Sequence, residues 1–226
     1  SETKAIPPWL ALNIHRIARR AQGAIARMAT LMLMIMGACI RGRHFQRSLL
    51  VGESDSALVF ECLRGKSRKA GRRPAFRFPV PKTWAQDYPI LNQLPDFLKE
   101  LEVNQSNQGI DYKQNPFLVP SLEVPMTDGK RPAICANSIW GNKAMSDFQF
   151  RKIIRAMFML AGADEALARS LTIKSMRKFL PSGAENLFLP IEMRNAIGNW
   201  VDTPAAAGSA PAHLPAQMSQ LYSAGK

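Results

Sequence analysis

One uncharged apolar segment constrains the fold of this chain more than any other feature. It runs from Met28 to Ile40, and Arg27 and Arg41 bound it directly on either side. It is shorter than the roughly 20 apolar residues that span a bilayer, so it predicts a helix buried in a protein core. With 226 residues and 46% hydrophobic content, the chain is long enough to bury such a helix in one compact domain.

The charge balance favours an anionic partner. Thirty Lys and Arg residues face seventeen Asp and Glu residues, which gives a formal net charge of +13. Such an excess attracts polyanions over long distances, and binding to them releases counterions. A nucleic acid is the first candidate partner, an acidic membrane surface is the second, and an excess of charge that confers only solubility is the alternative. We predict no insertion into a membrane.

The cysteines and histidines predict no disulfide framework, no metal and no cofactor. Cys39, Cys62 and Cys135 are far apart and odd in number, as expected for buried thiols in a reducing compartment, so an intracellular location is expected. The three histidines lie outside any zinc-ligand spacing. No signal peptide is recognisable, and because the chain begins at Ser1 without Met we expect it to be part of a longer protein.

The pattern of apolar residues predicts a mainly α-helical domain with a small antiparallel β-sheet, of the α+β class. A first helix begins at Pro7 and Pro8, Gly23 interrupts it, and the apolar helix follows and ends at Arg41. Short apolar runs at 49–51, 57–60 and 76–80 predict three strands. The basic, glycine-bounded segment between the last two is then the tip of a β-hairpin, although such a charge run is often only a solvated loop.

The remaining chain divides into a variable middle and a helical end. A loop-rich insertion is expected at about 81–145, because polar runs and repeated prolines break up regular structure there. Helices are predicted from Asp147 to Gly162, from about Ser170 to Ser182, and from Pro190 to Trp200. We therefore expect a core domain at 1–202, an Ala/Pro linker at 203–215, and a C-terminal segment at 216–226.

Five features follow one another in an order that resembles the catalytic domain of tyrosine recombinases and integrases. Arg41 follows the apolar helix, Lys66 follows a glycine in the basic hairpin, and Lys174 and Arg177 lie three apart on one predicted helix face. A Gly-Asn-Trp triplet ending at Trp200 and a C-terminal Tyr222 complete the series. The resemblance covers nearly the whole chain, and eukaryotic mobile-element and retroelement members look closer than bacterial ones.

The resemblance implies DNA recombination or integration through a covalent intermediate. Tyr222 would attack a DNA phosphate and form a 3′-phosphotyrosyl bond, which stores the bond energy so that rejoining needs no ATP. Arg41 and Arg177 would clamp the phosphate oxygens, since a guanidinium fork bridges two of them. Lys66, which directly follows the glycine, would protonate the leaving 5′ oxygen, with Lys69 as the alternative.

Two further positions are implied, and one departs from the family. Trp200 would donate an indole N–H to the phosphate, as in a minority of members, although an indole there is also typical of plain core. Lys174 stands where the family usually has His, and Lys is a poor general base near neutral pH unless its pKa falls. Reduced activity is therefore expected. Arg43 or Arg47 is the alternative to Arg41 as clamp.

The implied partners are duplex DNA and further copies of the chain, as in the tetrameric synapse of the family, with a nuclear location if the source is eukaryotic. The alternatives are a type IB topoisomerase-like DNA relaxation activity, and a domesticated DNA-binding domain whose catalysis is weakened. Further basic residues are expected to contact DNA: Arg43, Arg47, Arg64, Arg68, Lys69, Arg72, Arg73 and Lys178.

Overall fold

The computed structural model describes residues 4–55, 57–62, 76–84, 88–89, 98–100, 102–103, 117–126 and 132–191, together with single residues 106, 109, 129 and 193. Its main helices are α1 Pro8–Arg20, α2 Gly23–Ala38, α3 Gly42–Gln46, α4 Asp147–Leu160, α5 Glu165–Ser170 and α6 Ile173–Asn186. Its strands are β1 Ser48–Glu53, β2 Ala57–Cys62, β3 Phe76–Pro81, β4 Thr83–Trp84, β5 Tyr88–Pro89, β6 Pro120–Glu123 and β7 Ile139–Ala144.

Helix α2 is the centre of the fold. Its side chains from Met28 to Met36 are all buried, and the helix packs against α1, α4, α6 and β3. A helix buried on every side needs no polar face, and this one has none between Arg27 and Arg41. The prediction of a buried helix is therefore confirmed. Among the residues that the structure describes, no helix is long and apolar enough to cross a membrane.

Helix α1 packs along α2 after a two-residue connection. Pro8 stands in its first turn, where a missing N–H costs nothing. Leu10, Ile14 and Ala18 recur at intervals of four and are buried, as the sequence predicts. The Asn13 side-chain amide donates to the carbonyl of Ala161, the C-cap residue of α4, at 2.8 Å. This bond ties α1 to the end of α4.

Helix α2 ends earlier than the sequence predicts. Its last residue is Ala38, and Cys39 adopts a left-handed conformation with φ 51° and ψ 27°. Arg41 is therefore not in the last turn of α2; it is the N-cap residue of α3, a separate five-residue helix. The left-handed residue ends the helix and redirects the chain, since a residue with positive φ breaks the run of helical dihedrals.

Strands β1, β2 and β3 form an antiparallel sheet in chain order. Leu58, Phe60 and Cys62 alternate with less buried residues along β2 and face the core. The Phe60 ring stacks on Phe78 with centroids 5.8 Å apart, and β3 packs on α2. The predicted small antiparallel sheet beside helices is confirmed, as is the mixed α and β class.

The middle of the chain is more regular than the sequence predicts. Strands β4 and β5 pair with each other, and β6 pairs with β7, all within the expected loop-rich insertion. Two glutamines hold β6 and the residues before it. The Gln46 amide exchanges hydrogen bonds with the backbone of Val119 at 2.6 and 2.7 Å. The Gln149 amide does the same at Leu122, at 2.6 and 3.4 Å.

The helices of the last third agree with the sequence except in their bounds. Ser146 caps α4, whose predicted apolar stripe from Phe150 to Ala161 is buried. Helix α5 was not predicted, because six residues are too few to show a helical period. Helix α6 begins after Thr172, close to the expected start at about Ser170, but continues through Pro181 to Asn186 instead of ending at Ser182. The predicted helix at 190–200 lies almost wholly outside the described residues.

Gly23 is required at the start of α2. Its φ is +59°, and an added Cβ would overlap the carbonyl oxygen of Ala136, which accepts a hydrogen bond from the Ala24 N–H at 3.1 Å. We expect Gly23→Ala to lower the free energy of unfolding by roughly 2–5 kcal/mol, since left-handed strain and a backbone overlap add together. Urea unfolding followed by circular dichroism measures the loss.

Gly129→Ala is the matched control for Gly23→Ala. Gly129 has a similar φ of +70°, but no atom of the described residues lies within 4 Å of an added Cβ. This variant is expected to lose only the strain, about 1–2 kcal/mol. Equal losses in the two variants would contradict a steric role for the Ala136 carbonyl.

Candidate functional site

Two segments that are 138 positions apart in the sequence meet at the C-terminal end of α2. The Arg177 Nε–H donates a hydrogen bond to the Cys39 carbonyl oxygen at 3.1 Å. Helix α6, which carries Arg177, packs along α2. Arg41 lies two residues beyond Cys39 and is partly buried, as is Arg177. The backbone two residues before Arg41 is thus hydrogen-bonded to the guanidinium of Arg177, the other predicted arginine.

A second contact joins the same two segments. Gly42 lies against Ile173, so closely that an added Cβ would be 2.7 Å from the Ile173 Cγ2 atom. The Phe150 ring is 3.8 Å from the same point. Gly42 follows Arg41 directly, and Ile173 precedes Lys174 directly. The direct neighbours of Arg41 and Lys174, two predicted site residues, are therefore in contact.

The first turn of α6 is fixed by a capping box. The Thr172 side chain accepts from the Lys174 N–H at 3.2 Å, and the Ser175 side chain accepts from the Thr172 N–H at 3.0 Å. Lys174 is exposed, whereas Arg177 and Lys178 are partly buried one turn further along. Residues three and four apart share a helix face. Their positive charges therefore project near the N-terminal end of α6, where the helix dipole also favours an anion.

Cys39 contributes a carbonyl to this site and not a nucleophile. Burial raises the pKa of its thiol to about 12, although the positive charge of Arg177 acts in the opposite direction. The thiol donates weakly to the Met36 carbonyl at 3.5 Å. A thiol that stays protonated at neutral pH does not attack a phosphate or bind a metal.

Helix α3 carries one further predicted DNA contact, Arg43, and a second, Arg47, is its C-cap residue; both are exposed. The Arg43 guanidinium donates to the Asp147 carboxylate at 2.7 Å, and this hydrogen bond raises the pKa of Arg43. Arg43 therefore links α3 to the first turn of α4, which the sequence did not indicate. To bind a DNA phosphate it has to exchange Asp147 for that phosphate.

The sheet brings the ends of the basic segment close to α3. Ser48, Cys62 and Phe76 are successive Cα partners across the three strands. The Ser48 hydroxyl donates to the His44 carbonyl of α3 at 2.7 Å. Since adjacent strands lie about 4.8 Å apart, the chain leaves Cys62 within two strand widths of α3, the helix that Arg41 caps. Cys62 and Phe76, the described residues on either side of 63–75, are therefore neighbours in the sheet.

The other predicted site residues lie outside the described part of the chain. These are the predicted catalytic residues Lys66, Trp200 and Tyr222 and the predicted DNA contacts Arg64, Arg68, Lys69, Arg72 and Arg73. Within the described ranges, no group of three or more His, Cys, Asp and Glu side chains is placed to hold a metal ion.

A separate open cleft of about 660 Å³ lies between the β6–β7 hairpin and α4. Ile139 and Ile153 line it together with two charged residues of opposite sign, Glu123 and Lys152. This mixture favours no single ligand chemistry. The side-chain cluster at the end of α2, which joins cations from two distant segments, is the stronger candidate site.

No protein-family model matches this chain, and neither curated proteins nor solved structures gave a significant match. A function for the chain therefore has to be inferred from its own residues and their geometry.

The packing of Gly42 on Ile173 makes a prediction for a double-mutant cycle. Gly42→Ala is expected to cost about 1–3 kcal/mol of stability, because the new methyl group overpacks the junction. Ile173→Ala removes the atom that the methyl meets, so the double variant should be more stable than the sum of the single effects by about 0.5–3 kcal/mol. Urea unfolding of the four proteins measures this coupling, and additive losses would mean that the two residues do not press on each other.

Proposed function

We propose that this chain cleaves and rejoins DNA strands through a 3′-phosphotyrosyl intermediate, as a tyrosine recombinase does. One observation supports this most: two segments that are far apart in the sequence meet at the C-terminal end of α2. They are the Cys39–Gly42 turn and the first turns of α6. Each carries cations that the resemblance assigns to a phosphate site.

The chemistry explains why cations from several segments are needed. Attack of the Tyr222 phenol oxygen on phosphorus forms a P–O bond and breaks the bond to the 5′ oxygen. The phenol proton passes to water, and the departing 5′ oxygen takes a proton from Lys66. Negative charge develops on the non-bridging oxygens during this step, and fixed donors such as Arg41 and Arg177 stabilise it. No external energy source is required, because the phosphotyrosyl bond keeps the energy of the broken one.

Lys174 supports the phosphate-binding part of this proposal more than the proton-transfer part. Its side chain is exposed beside the capped first turn of α6. An ammonium group donates hydrogen bonds to a phosphate but has no lone pair with which to accept a proton, so it is a poor base. We propose that it holds the phosphate where the related enzymes use histidine, and that the reaction is correspondingly slower.

The proposed substrate is duplex DNA, and the charge of the chain supports it. The net charge of +13 predicts DNA binding that weakens steeply with salt. The logarithm of the binding constant falls with the logarithm of the salt concentration, with a slope of about −0.9 per phosphate contact. Paired strand exchange would need several copies of the chain on one DNA, so we propose that self-association occurs on DNA.

Capture of a covalent adduct tests the proposal. The chain is incubated with a random-sequence pool of nicked duplexes that lose the 5′-hydroxyl fragment after cleavage, and protein-linked DNA is recovered under denaturing conditions. We expect an adduct that disappears in Tyr222→Phe. Tyr88→Phe and Tyr112→Phe, at the other two tyrosines of the chain, are the controls and should retain it. DNA binding without any adduct would leave a DNA-binding domain and refute the catalytic proposal.

Arg177→Ala is predicted to lower the rate of adduct formation by roughly 10²–10³-fold, since it removes a donor that acts on the charge developing in the transition state. Arg169→Ala is the charge-matched control. Arg169 lies on α5, is exposed, and pairs with Glu165 of the same helix. Its loss should change the rate by less than about threefold, because an exposed charge that is already paired with a carboxylate is largely screened. Equal effects of the two substitutions would mean that Arg177 acts only through the net charge.

A relaxation assay separates recombination from a topoisomerase activity of the same chemistry. The chain at concentrations where it is monomeric is mixed with supercoiled plasmid, and the topoisomers are separated on a gel. We expect no relaxation under these conditions, whereas relaxation by monomers would favour the topoisomerase alternative.

A further inference from the structure

We propose that the left-handed backbone at Cys39 positions the Arg177 guanidinium, so that residue 39 is a positioning residue of the site through its conformation and not through its thiol. The effect expected on DNA cleavage rests on the proposed function. The effect on the arginine itself does not.

The backbone of Cys39 is unusual for its residue type. Among the described residues, Cys39 and Phe188 are the non-glycine residues with positive φ. A side chain with a Cβ pays roughly 1–2 kcal/mol for that conformation. Cys39 is also 1% exposed, in contrast to Phe188 at 94%. Strain at a buried residue is retained only where the surrounding structure enforces it, and such residues concentrate at functional sites.

The left-handed conformation gives the Cys39 carbonyl its partner. Inside a continuing α-helix this oxygen would accept from the N–H four residues later, Arg43. Because the chain turns at Cys39, the oxygen instead accepts from the Arg177 Nε–H at 3.1 Å. A carbonyl at a helix end needs a donor from elsewhere, and here the donor comes from α6. Arg177, a predicted phosphate ligand, therefore donates to a carbonyl at the C-terminal end of α2.

This bond fixes the direction of the guanidinium. The group is planar, so a bond at Nε sets the plane in which the two terminal nitrogens lie. The Gly42 contact with Ile173 fixes the distance between the two segments at the same junction. A change of backbone at residue 39 would move the carbonyl and release the guanidinium plane, while the positive charge of Arg177 would stay.

Three substitutions separate the backbone from the thiol. Cys39→Ser keeps the size of the side chain, Cys39→Gly favours the left-handed conformation, and Cys39→Val disfavours it because its side chain is β-branched. All three remove the thiol. At saturating DNA, we expect Cys39→Val to form adduct about 10- to 100-fold more slowly. The Ser and Gly variants should stay within about threefold of the parent chain.

Phe188→Val is the matched control for left-handed strain. It places the same β-branched residue at the other left-handed position, which lies in an exposed turn after α6. It should not alter the adduct rate by more than about threefold. If it slows the reaction as much as Cys39→Val does, general destabilisation explains both effects and the positioning role is overturned.

A direct readout follows the arginine without any DNA. In ¹H–¹⁵N spectra, the Arg177 Nε–H, assigned by its loss in Arg177→Lys, should exchange slowly with water in the parent chain and in the Ser and Gly variants. In Cys39→Val it should exchange at least about tenfold faster, as a 1.4 kcal/mol weaker bond would give. Fast exchange in the parent chain, or slow exchange in the Val variant, overturns the proposal.

The two readouts also separate this inference from the proposed function. A parent chain that forms no adduct defeats the catalytic proposal, and the Nε–H exchange rates still decide whether residue 39 positions Arg177. Should Cys39→Val fail to fold, Arg177→Lys takes its place, because it keeps the charge and removes the Nε–H. It should then slow adduct formation at saturating DNA by about 10- to 100-fold. A rate within threefold of the parent chain would overturn the positioning role.

Discussion

The burial of α2 on all sides is the interaction on which the other elements depend. Helices α1, α4 and α6 and strand β3 all pack on it. Each fully buried aliphatic or methionine side chain contributes about 1.5–3 kcal/mol. Its methionines, among them Met28, Met32, Met34 and Met36, suit this position, because unbranched thioether side chains adapt to neighbours of different shape. A site at the end of such a helix inherits a rigid support.

Periodicity within a segment was enough to predict much of this fold. The uncharged run of α2, the apolar stripe of α4 and the alternation of β2 each indicate which side chains are buried. Side chains on one face of a helix or strand recur at a fixed interval. Helix α5 has too few residues to show an interval. The β6–β7 pair was missed because proline at 120 and weak alternation disguise it, and because part of its stability comes from side chains of α4 and α3.

The candidate site was predictable only as far as local spacing reaches. A spacing of three places Lys174 and Arg177 on one helix face, and no structure is needed to say so. The contacts from Arg177 to Cys39 and from Gly42 to Ile173 join residues more than a hundred positions apart, and nothing in a single sequence marks such pairs. The left-handed turn at Cys39 was hidden for a different reason, because glycine is the usual signal for it and cysteine is not.

The amide of Gln149 has a consequence for how copies of this chain can meet. By taking both the N–H and the carbonyl of Leu122, one side chain of α4 occupies the place that a further strand would need. Exposed strand edges recruit strands from other molecules. With its backbone groups at Leu122 already engaged, the outer edge of β6 offers no template at this residue for a strand from another copy.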